Sequence, residues 1–358
     1  MIDIVDNFKI KGKVLNIVPY ANGLVNKTYL VVTTDDKYLL QRINNYVFKD
    51  PPKLMDNIEK VTNHLKHKHC LTLSIIKTKD HKSYYYDEHN KAFYRIYQFL
   101  DGLYTLPANS FSQIYLEIGK AIGSFQSHFY DFDWHNLIET IPNFHNTPQR
   151  IKKLDEAFKT CSNINRLTKS KKVYEYIMKN TKEASIIQTK YEKGLIPKRI
   201  THNDTKLNNI LFDKEQEIAV CLIDLDTVMP GIAIFDFGDA VRAACSTKDE
   251  NSSDFLAISL DTKKVIQLMA GYLGKMYQTL NKVEINLLIN AIGTIILECS
   301  SRFLTDYLEN DLYFKVLYDE HNLIRATNQV YLHIDYMKKK KFLNDITKQM
   351  FRRMIAYY

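Results

Sequence analysis

Residues 201–240 read THNDTKLNNILFDKEQEIAVCLIDLDTVMPGIAIFDFGDA, and their spacing decides the fold. His202 and Asp204 are followed by Asn209, five residues after the aspartate. Such a loop sets a proton-accepting carboxylate beside an incoming hydroxyl and, one turn of chain later, an amide oxygen able to hold Mg²⁺. A short apolar run from Ile210 to Phe212, a polar turn from Asp213 to Gln216 and a β-like run from Ile218 to Ile223 come next and deliver Asp224. That order predicts a hairpin carrying a second carboxylate back to the loop, with Asn209 and Asp224 as the metal ligands and Asp204 as the base.

The separation matches the kinase catalytic loop H-R-D-L-x-x-x-N. Downstream, Asp236, Phe237 and Gly238 spell DFG, which labels the metal-binding aspartate of protein kinases. Counting favours Asp224 for that role: it lies 15 residues after Asn209 at the end of a strand, whereas Asp236 lies 27 after it. Asp236 and Asp239 read instead as the N-cap and first-turn acid of a helix standing close to the site. His202 reads as a brace that holds the loop by hydrogen bonds.

At 358 residues the chain exceeds what one compact core usually holds, so two lobes are expected. Its five cysteines are odd in number and far apart, with no C-x-x-C pair, and read as reduced thiols of a cytoplasmic protein. The N-terminus, MIDIVDNFKI, carries acids in place of a basic region, and no apolar run approaches the ~20 residues of a membrane span. A soluble protein that is not exported, with no membrane partner, is expected. The formal charge of +8 comes from lysines interleaved with acids along the whole chain. Its one dense run, Lys338 to Lys341, reads as a solvated helix face and not as a nucleic-acid footprint. The positive balance favours phosphate-bearing ligands and disfavours a polycationic substrate.

From the N-terminus, VLNIV (14–18) and TYLVVT (28–33) are β-rich and flank a loop whose single glycine is Gly23. In kinases such a unit covers the nucleotide phosphates, but G-x-G-x-x-G is absent here, and a plain hairpin explains Gly23 to Lys27 equally well. The next strand alternates so that Tyr38, Leu40 and Arg42 share a face. With no lysine at the kinase position, Arg42, permanently charged and forked, is either the natural phosphate ligand or an exposed strand-end charge, with Lys37 at the turn as the competitor. ProPro at 51 and 52 opens a helix to about Lys68. Glu59 in that helix either orients Arg42 or is an ordinary surface residue. Strands at 74–78, 83–86 and 92–99 lead to a hinge at Asp101 and Gly102, where adenine would bond to backbone between Gln98 and Leu100. The expected lobes are therefore 1–101 and 102–358.

Beyond the hinge the chain reads as mostly helical, at 109–130, 148–160, 168–193 and most of 260 onward. Only eleven residues separate Asp224 from Asp236, with no A-P-E, so a peptide-holding activation segment is missing. Asn203 also replaces the arginine that would read a phosphorylated loop. A small-molecule acceptor and no activating phosphorylation follow. A long helix from about Glu284 to Leu308 is apolar on nearly all sides and should be buried. Its Glu298, Arg302 and Asp306, four apart, form either a cleft-facing stripe for a substrate's hydroxyls or a solvent-facing ion-pair ladder.

These residues together resemble the aminoglycoside phosphotransferase and choline kinase superfamily. More narrowly, THNDTKLNN, IDLDTVMPG with DFGDAVR, FHNTPQR (144–150), YLLQRIN (38–44) and SRFLTDYLENDLYF (301–314) are similar to the N-acetylhexosamine 1-kinases. The resemblance covers almost the whole chain. It implies an α+β, bilobal protein-kinase-like fold with an N-terminal antiparallel sheet lobe carrying a helix, and a larger, mainly helical C-terminal lobe. It also implies Mg²⁺-dependent transfer of the ATP γ-phosphate to the anomeric hydroxyl of N-acetylglucosamine or N-acetylgalactosamine. By motif position Asp204 is the base, Asn209 and Asp224 hold Mg²⁺, and Arg302 and Tyr313 contact the sugar. Asp226 joins the sugar contacts, because on a strand it shares the face of Asp224. Other acceptors within the superfamily, such as homoserine, choline, a thiosugar or an aminoglycoside, are the alternative. A non-catalytic binding protein fits less well, since it has no need of Asp204, Asn209 and Asp224 together.

Overall fold

The computed structural model describes residues 1–20, 25–107 and 110–356, so the phosphate-loop reading at Gly23 lies outside the described residues. A helical turn, α1 (Ile2–Val5), leads into three antiparallel strands, β1 (Val14–Pro19), β2 (Lys27–Thr33) and β3 (Lys37–Ile43). Helix α2 (Pro51–His67) starts where Asp50 accepts from the Lys53 amide and two prolines occupy the first turn. Strands β4 (Ile75–Ile76), β5 (Tyr85–Asp87) and β6 (Ala92–Gln98) complete a six-stranded sheet in the order β1-β2-β3-β6-β4, with β5 also on β6.

The two faces of this sheet have different neighbours. Tyr38, Leu40, Tyr94 and Ile96 pack with Ile4, Val5 and Phe8 of the N-terminal segment. Leu39, Ile43, Phe93 and Tyr97 belong instead to the main core, shared with α2 and the helical body. Only this second face looks into the cleft.

Strand β7 (Leu103–Tyr104) pairs with a different sheet, so the chain changes lobes between Gln98 and Leu103. Helices α3 (Ile114–His128), α4 (Thr147–Thr160), α5 (Ile164–Ala184) and α6 (Ile186–Glu192) follow. The single helix expected over 168–193 is two helices, meeting at Ser185. Next come β8 (Arg199–Thr201), β9 (Ile210–Asp213), β10 (Ile218–Leu222) and β11 (Met229–Gly231). The expected hairpin is present: β10 pairs antiparallel with β9, which pairs with β7, while β11 pairs with β8. Helices α7 (Ile234–Ala244), α8 (Thr262–Met276), α9 (Lys282–Leu308) and α10 (His321–Ala356) form the body. The architecture is bilobal and protein-kinase-like, an antiparallel sheet lobe above a larger helical one.

Helix α9 is the axis of the second lobe. Asn281 and Glu284 close a capping box at its start, and α4, α5, α7 and α10 all pack on it. Among the described residues it is the one helix long and apolar enough to cross a membrane, with mean hydropathy 1.5 over an 18-residue window. The sequence reading found no run of that kind. With 72% of that window buried inside the protein, the apolar character is accounted for by core packing.

Gly238, the glycine of the DFG triplet, sits where α7 crosses α9, and a Cβ there would stand 2.6 Å from the Ala291 carbonyl oxygen. Gly238→Ala should therefore lower stability by ~1–3 kcal/mol, as overpacking does, seen as a lower urea midpoint. A midpoint equal to that of the parent would contradict so close a crossing.

Candidate active site

The loop after β8 is held by α7. Asp236 accepts from the backbone amides of His202 and Asn203, both at 2.8 Å, and from the Gln126 side chain at 2.7 Å. Asp239 accepts from the Thr205 amide at 3.1 Å. Both acids thus face the loop rather than cap a helix: α7 begins at Ile234 with Ala233 as its N-cap, earlier than the sequence reading placed it. Burial pushes the Asp236 carboxyl above its ordinary range, and the bonds from His202, Asn203 and Gln126 work against that shift. They are what sustains Asn203 at φ +65°, a conformation uncommon outside glycine. The Asn203 side chain adds a bond to the Thr227 carbonyl at 2.8 Å and one from the Thr201 hydroxyl at 2.9 Å. His202 faces the Ile223 carbonyl through Nε2 at 3.0 Å, so that nitrogen carries the proton, and Phe125 meets its ring edge-on.

Asp204 projects from this loop with its side chain 30% exposed. Lys206 Nζ and Asn209 Nδ2 donate to Oδ2 at 2.8 and 2.9 Å. Burial works against its charge, but these two donors outweigh it and hold the carboxyl below its ordinary range. The arrangement keeps an anion ready to accept a proton. Lys206 is itself raised: burial opposes its charge, and Asp204, Asp224 and Asp239 more than restore it.

Asp224 lies beyond the end of β10 in the left-handed conformation, φ +62° and ψ +58°, and residues 225–227 form a 3-10 turn. The Ile223 amide bonds the Asn209 backbone carbonyl at 2.9 Å, which draws Asp224 to the loop. Because the strand has already ended, the period-two argument that set Asp226 on the face of Asp224 fails. Asp224 is pushed up to about 7 by burial, with Asp226 and Asp204 adding to the shift. Crowded carboxylates of this kind favour a divalent cation. Among the described residues no group of three or more His, Cys, Asp and Glu makes a complete metal cage. Asp224 and the Asn209 side-chain oxygen nevertheless fit Mg²⁺, which takes one or two protein oxygens and completes its shell with phosphates and water.

Asp226 is occupied elsewhere. Its carboxylate meets Arg95 Nη1 at 2.5 Å and Asn26 Nδ2 at 2.6 Å, both from the sheet lobe, with the aspartate and arginine side chains 4% and 1% exposed. Arg95 also donates from Nε to Gln41 at 2.9 Å, and Asn26 Oδ1 receives the Asn44 amide at 3.0 Å. The pair ties the two lobes together, in place of the sugar contact expected of Asp226. Arg42 requires a second correction. It shares the face of Tyr38 and Leu40 as expected, but that face packs on the N-terminal segment, and Gln41, opposite Arg95 in the β3–β6 register, faces the cleft. Glu59 is bound by Lys77 and not by Arg42. At the hinge, the Gln98 and Phe99 amides are taken by the Ser74 and Lys37 carbonyls. Leu100 makes no backbone bond among the described residues, which leaves its backbone open to a base.

A cavity of about 300 Å³, lined by Tyr46, Lys49, Arg150, Arg302, Tyr313 and Phe314, opens between β3–α2 and the end of α9. Arg302 and Asp306 of the α9 stripe line it, and all three members of the stripe are buried or nearly so. Glu298 accepts from Thr147 at 2.8 Å and from His145 at 2.8 Å. Arg302 stacks on Phe144 and Phe314 at 5.1 and 5.5 Å and lies beside the Tyr313 hydroxyl. Asp306 accepts from the amides of Tyr313 and Phe314 at 2.7 and 2.9 Å, turning that loop over the cavity. The solvent-facing ladder is thereby replaced by a pocket wall.

Residues 16–259, well over half of the chain, match the model of the phosphotransferase enzyme family. The chain belongs to that family. Solved structures with the same fold include a microcompartment-associated aminopropanol kinase, 13% identical with a TM-score of 0.61, covering 94% of this chain and 97% of that one. An aminoglycoside phosphotransferase from Alicyclobacillus acidocaldarius is 12% identical at a TM-score of 0.61, covering 99% and 96%. A choline kinase from Streptococcus pneumoniae is 13% identical at 0.55, covering 89% and 92%. The chain is thus a member of the phosphotransferase enzyme family with the fold that these solved structures share.

Sequence reasoning missed Lys206, Arg95, Asn26 and Arg150. Lys206 had a local signal, a lysine two residues after the base in HNDTK. Arg95 had a weaker one, a lone charge inside the apolar strand AFYRIYQ. Arg150 had one in the motif FHNTPQR, whose Phe144 carbonyl accepts from its guanidinium at 2.9 and 3.1 Å, whereas Asn26 had none, since its partner lies 200 residues away.

Proposed function

We propose that this phosphotransferase moves the γ-phosphate of ATP to the anomeric hydroxyl of an N-acetylhexosamine, giving the sugar 1-phosphate. The observation that carries the acceptor class is the charge of the pocket. Among the described residues, Arg302 and Arg150 reach it without a carboxylate salt bridge. Its two acids are committed, Asp306 to backbone amides and Glu309 to Lys153 at 3.0 Å. A quaternary ammonium or a polyamine placed there meets uncompensated positive charge at low dielectric, which costs several kcal/mol at about 4 Å and an effective dielectric near 20. A neutral sugar meets guanidinium donors for its carbonyl and hydroxyls, and aromatic faces for its ring. The cavity, at about 300 Å³, stands at the small end for ligand pockets, a size suited to one sugar ring.

In this reading Asp204 takes the proton from the C1 hydroxyl as its oxygen bonds phosphorus and the bond to ADP breaks. Lys206 offsets phosphate charge beside it, and Asn209 fixes the carboxylate. Mg²⁺, held by Asp224 and Asn209, supplies charge neutralisation at the phosphates when bound. Arg302 and Tyr313 contact the sugar, and adenine bonds backbone near Leu100. A reducing cytoplasm suits the five cysteines, all free.

The test is an acceptor panel with Mg²⁺ and ATP, following ADP release. N-acetylglucosamine or N-acetylgalactosamine should turn over, and choline, homoserine and kanamycin should not. Turnover of a cationic acceptor alone would sink the sugar reading and leave the kinase assignment intact.

A further inference from the structure

His145 is a mostly buried histidine with no part in the chemistry described so far. Its side chain is 10% exposed, with Nδ1 2.8 Å from Glu298 Oε1 and Nε2 3.3 Å from the backbone oxygen of Asn203. An ionised carboxylate and a peptide carbonyl can only accept. Two acceptors therefore require two donors, and only the imidazolium supplies a proton on both ring nitrogens. Phe144 and Phe235 close the sides, at 4.6 and 5.8 Å between ring centres.

The charged groups facing this ring come from two helices, Glu298 and Arg302 on α9 and Asp239 on α7. Burial opposes the cation most strongly and Arg302 joins it, yet the two carboxylates prevail and His145 is raised above its ordinary range. Glu298, against its own burial, is held below its ordinary range by His145, Arg302 and Thr147.

Asn203, the residue before the base, has three of its four polar groups fixed by other partners. Asp236 holds its amide, and Thr201 and Thr227 hold its side chain. Its carbonyl is the group left, and the direction of that carbonyl sets the plane of the peptide leading to Asp204. We propose that His145, as an imidazolium clamped by Glu298, is a positioning residue that fixes the Asn203–Asp204 peptide and so aims the Asp204 carboxylate. The same clamp joins the acceptor pocket to the catalytic loop, because Glu298 and Arg302 are one turn apart on α9. The inference rests on the reading of Asp204 as proton acceptor. It also gives a reason why a loop with Asn203 in place of an arginine needs no phosphorylated segment to order it.

His145→Gln removes the charge and the titration while keeping one amide donor. Turnover should fall roughly 10- to 100-fold, the usual cost of a small misplacement of a catalytic group, with the KM for ATP within about twofold of the parent. The parent's rate profile should show an alkaline limb above histidine's ordinary range. That limb should vanish in His145→Gln and move to lower pH in Glu298→Gln. Since a rate loss alone could come from misfolding, histidine-selective nitrogen NMR on the unaltered protein reads the ring directly. At about pH 7.5, where an unperturbed histidine is mostly neutral, both His145 nitrogens should be protonated. A neutral His145 ring at that pH, or an alkaline limb unchanged by His145→Gln, would overturn the proposal. The NMR needs no acceptor, so its result is independent of the acceptor panel. Full activity in an Asp204 variant would instead remove the reading beneath the inference.

Discussion

Asp204→Asn should lower turnover by ~10²–10⁴-fold, the range of a general-base contribution, with little change in the melting temperature. The substitution keeps shape and one acceptor oxygen but removes the charge that Lys206 and Asn209 stabilise. Stability should be nearly untouched, because the side chain is partly exposed and carries no packing load in the core. Nucleotide binding should also persist, since the cleft face of the sheet and the Leu100 backbone are elsewhere. Turnover close to that of the parent, measured alongside an unchanged melting curve, would take the base role away from Asp204.

Arg95→Leu should be the most destabilising single change in the sheet lobe. It leaves the Asp226 carboxylate buried with only Asn26 as donor, and breaking a buried pair from one side costs ~3–5 kcal/mol. Urea denaturation would read the loss. The double variant Arg95→Leu with Asp226→Leu should recover a large part of it, because replacing both partners by apolar groups of similar size is often close to neutral. A single-variant loss under about 1 kcal/mol, the scale of an exposed pair, would mean that the two lobes are not clasped through Arg95 and Asp226.

What could be read from sequence was what lies close along the chain. The loop from His202 to Asn209 and the hairpin to Asp224 were legible because a few residues of fixed spacing determine them. The helix-rich second lobe and the buried α9 followed from hydrophobic pattern. Arg42 shows the limit: strand parity grouped it correctly with Tyr38 and Leu40, but which face meets the cleft depends on where the N-terminal segment packs. Asp226 shows another. Strand alternation holds only as far as Leu222, and the left-handed turn at Asp224 redirects the residues after it. Arg95, Asn26 and His145 find their partners across 131, 200 and 153 residues, distances over which pattern carries no information. Asp236 illustrates the intermediate case. Its supporting place near the site is visible, whereas its actual work, receiving two loop amides, depends on how α7 packs against the loop after β8.

The most direct test of the proposed reaction is phosphorus NMR of the product formed from ATP, Mg²⁺ and an N-acetylhexosamine. A phosphate signal coupled to the anomeric proton, absent with Asp204→Asn, is the predicted result. A phosphate on C6, or on a non-sugar acceptor only, would contradict the placement of the anomeric hydroxyl against Asp204.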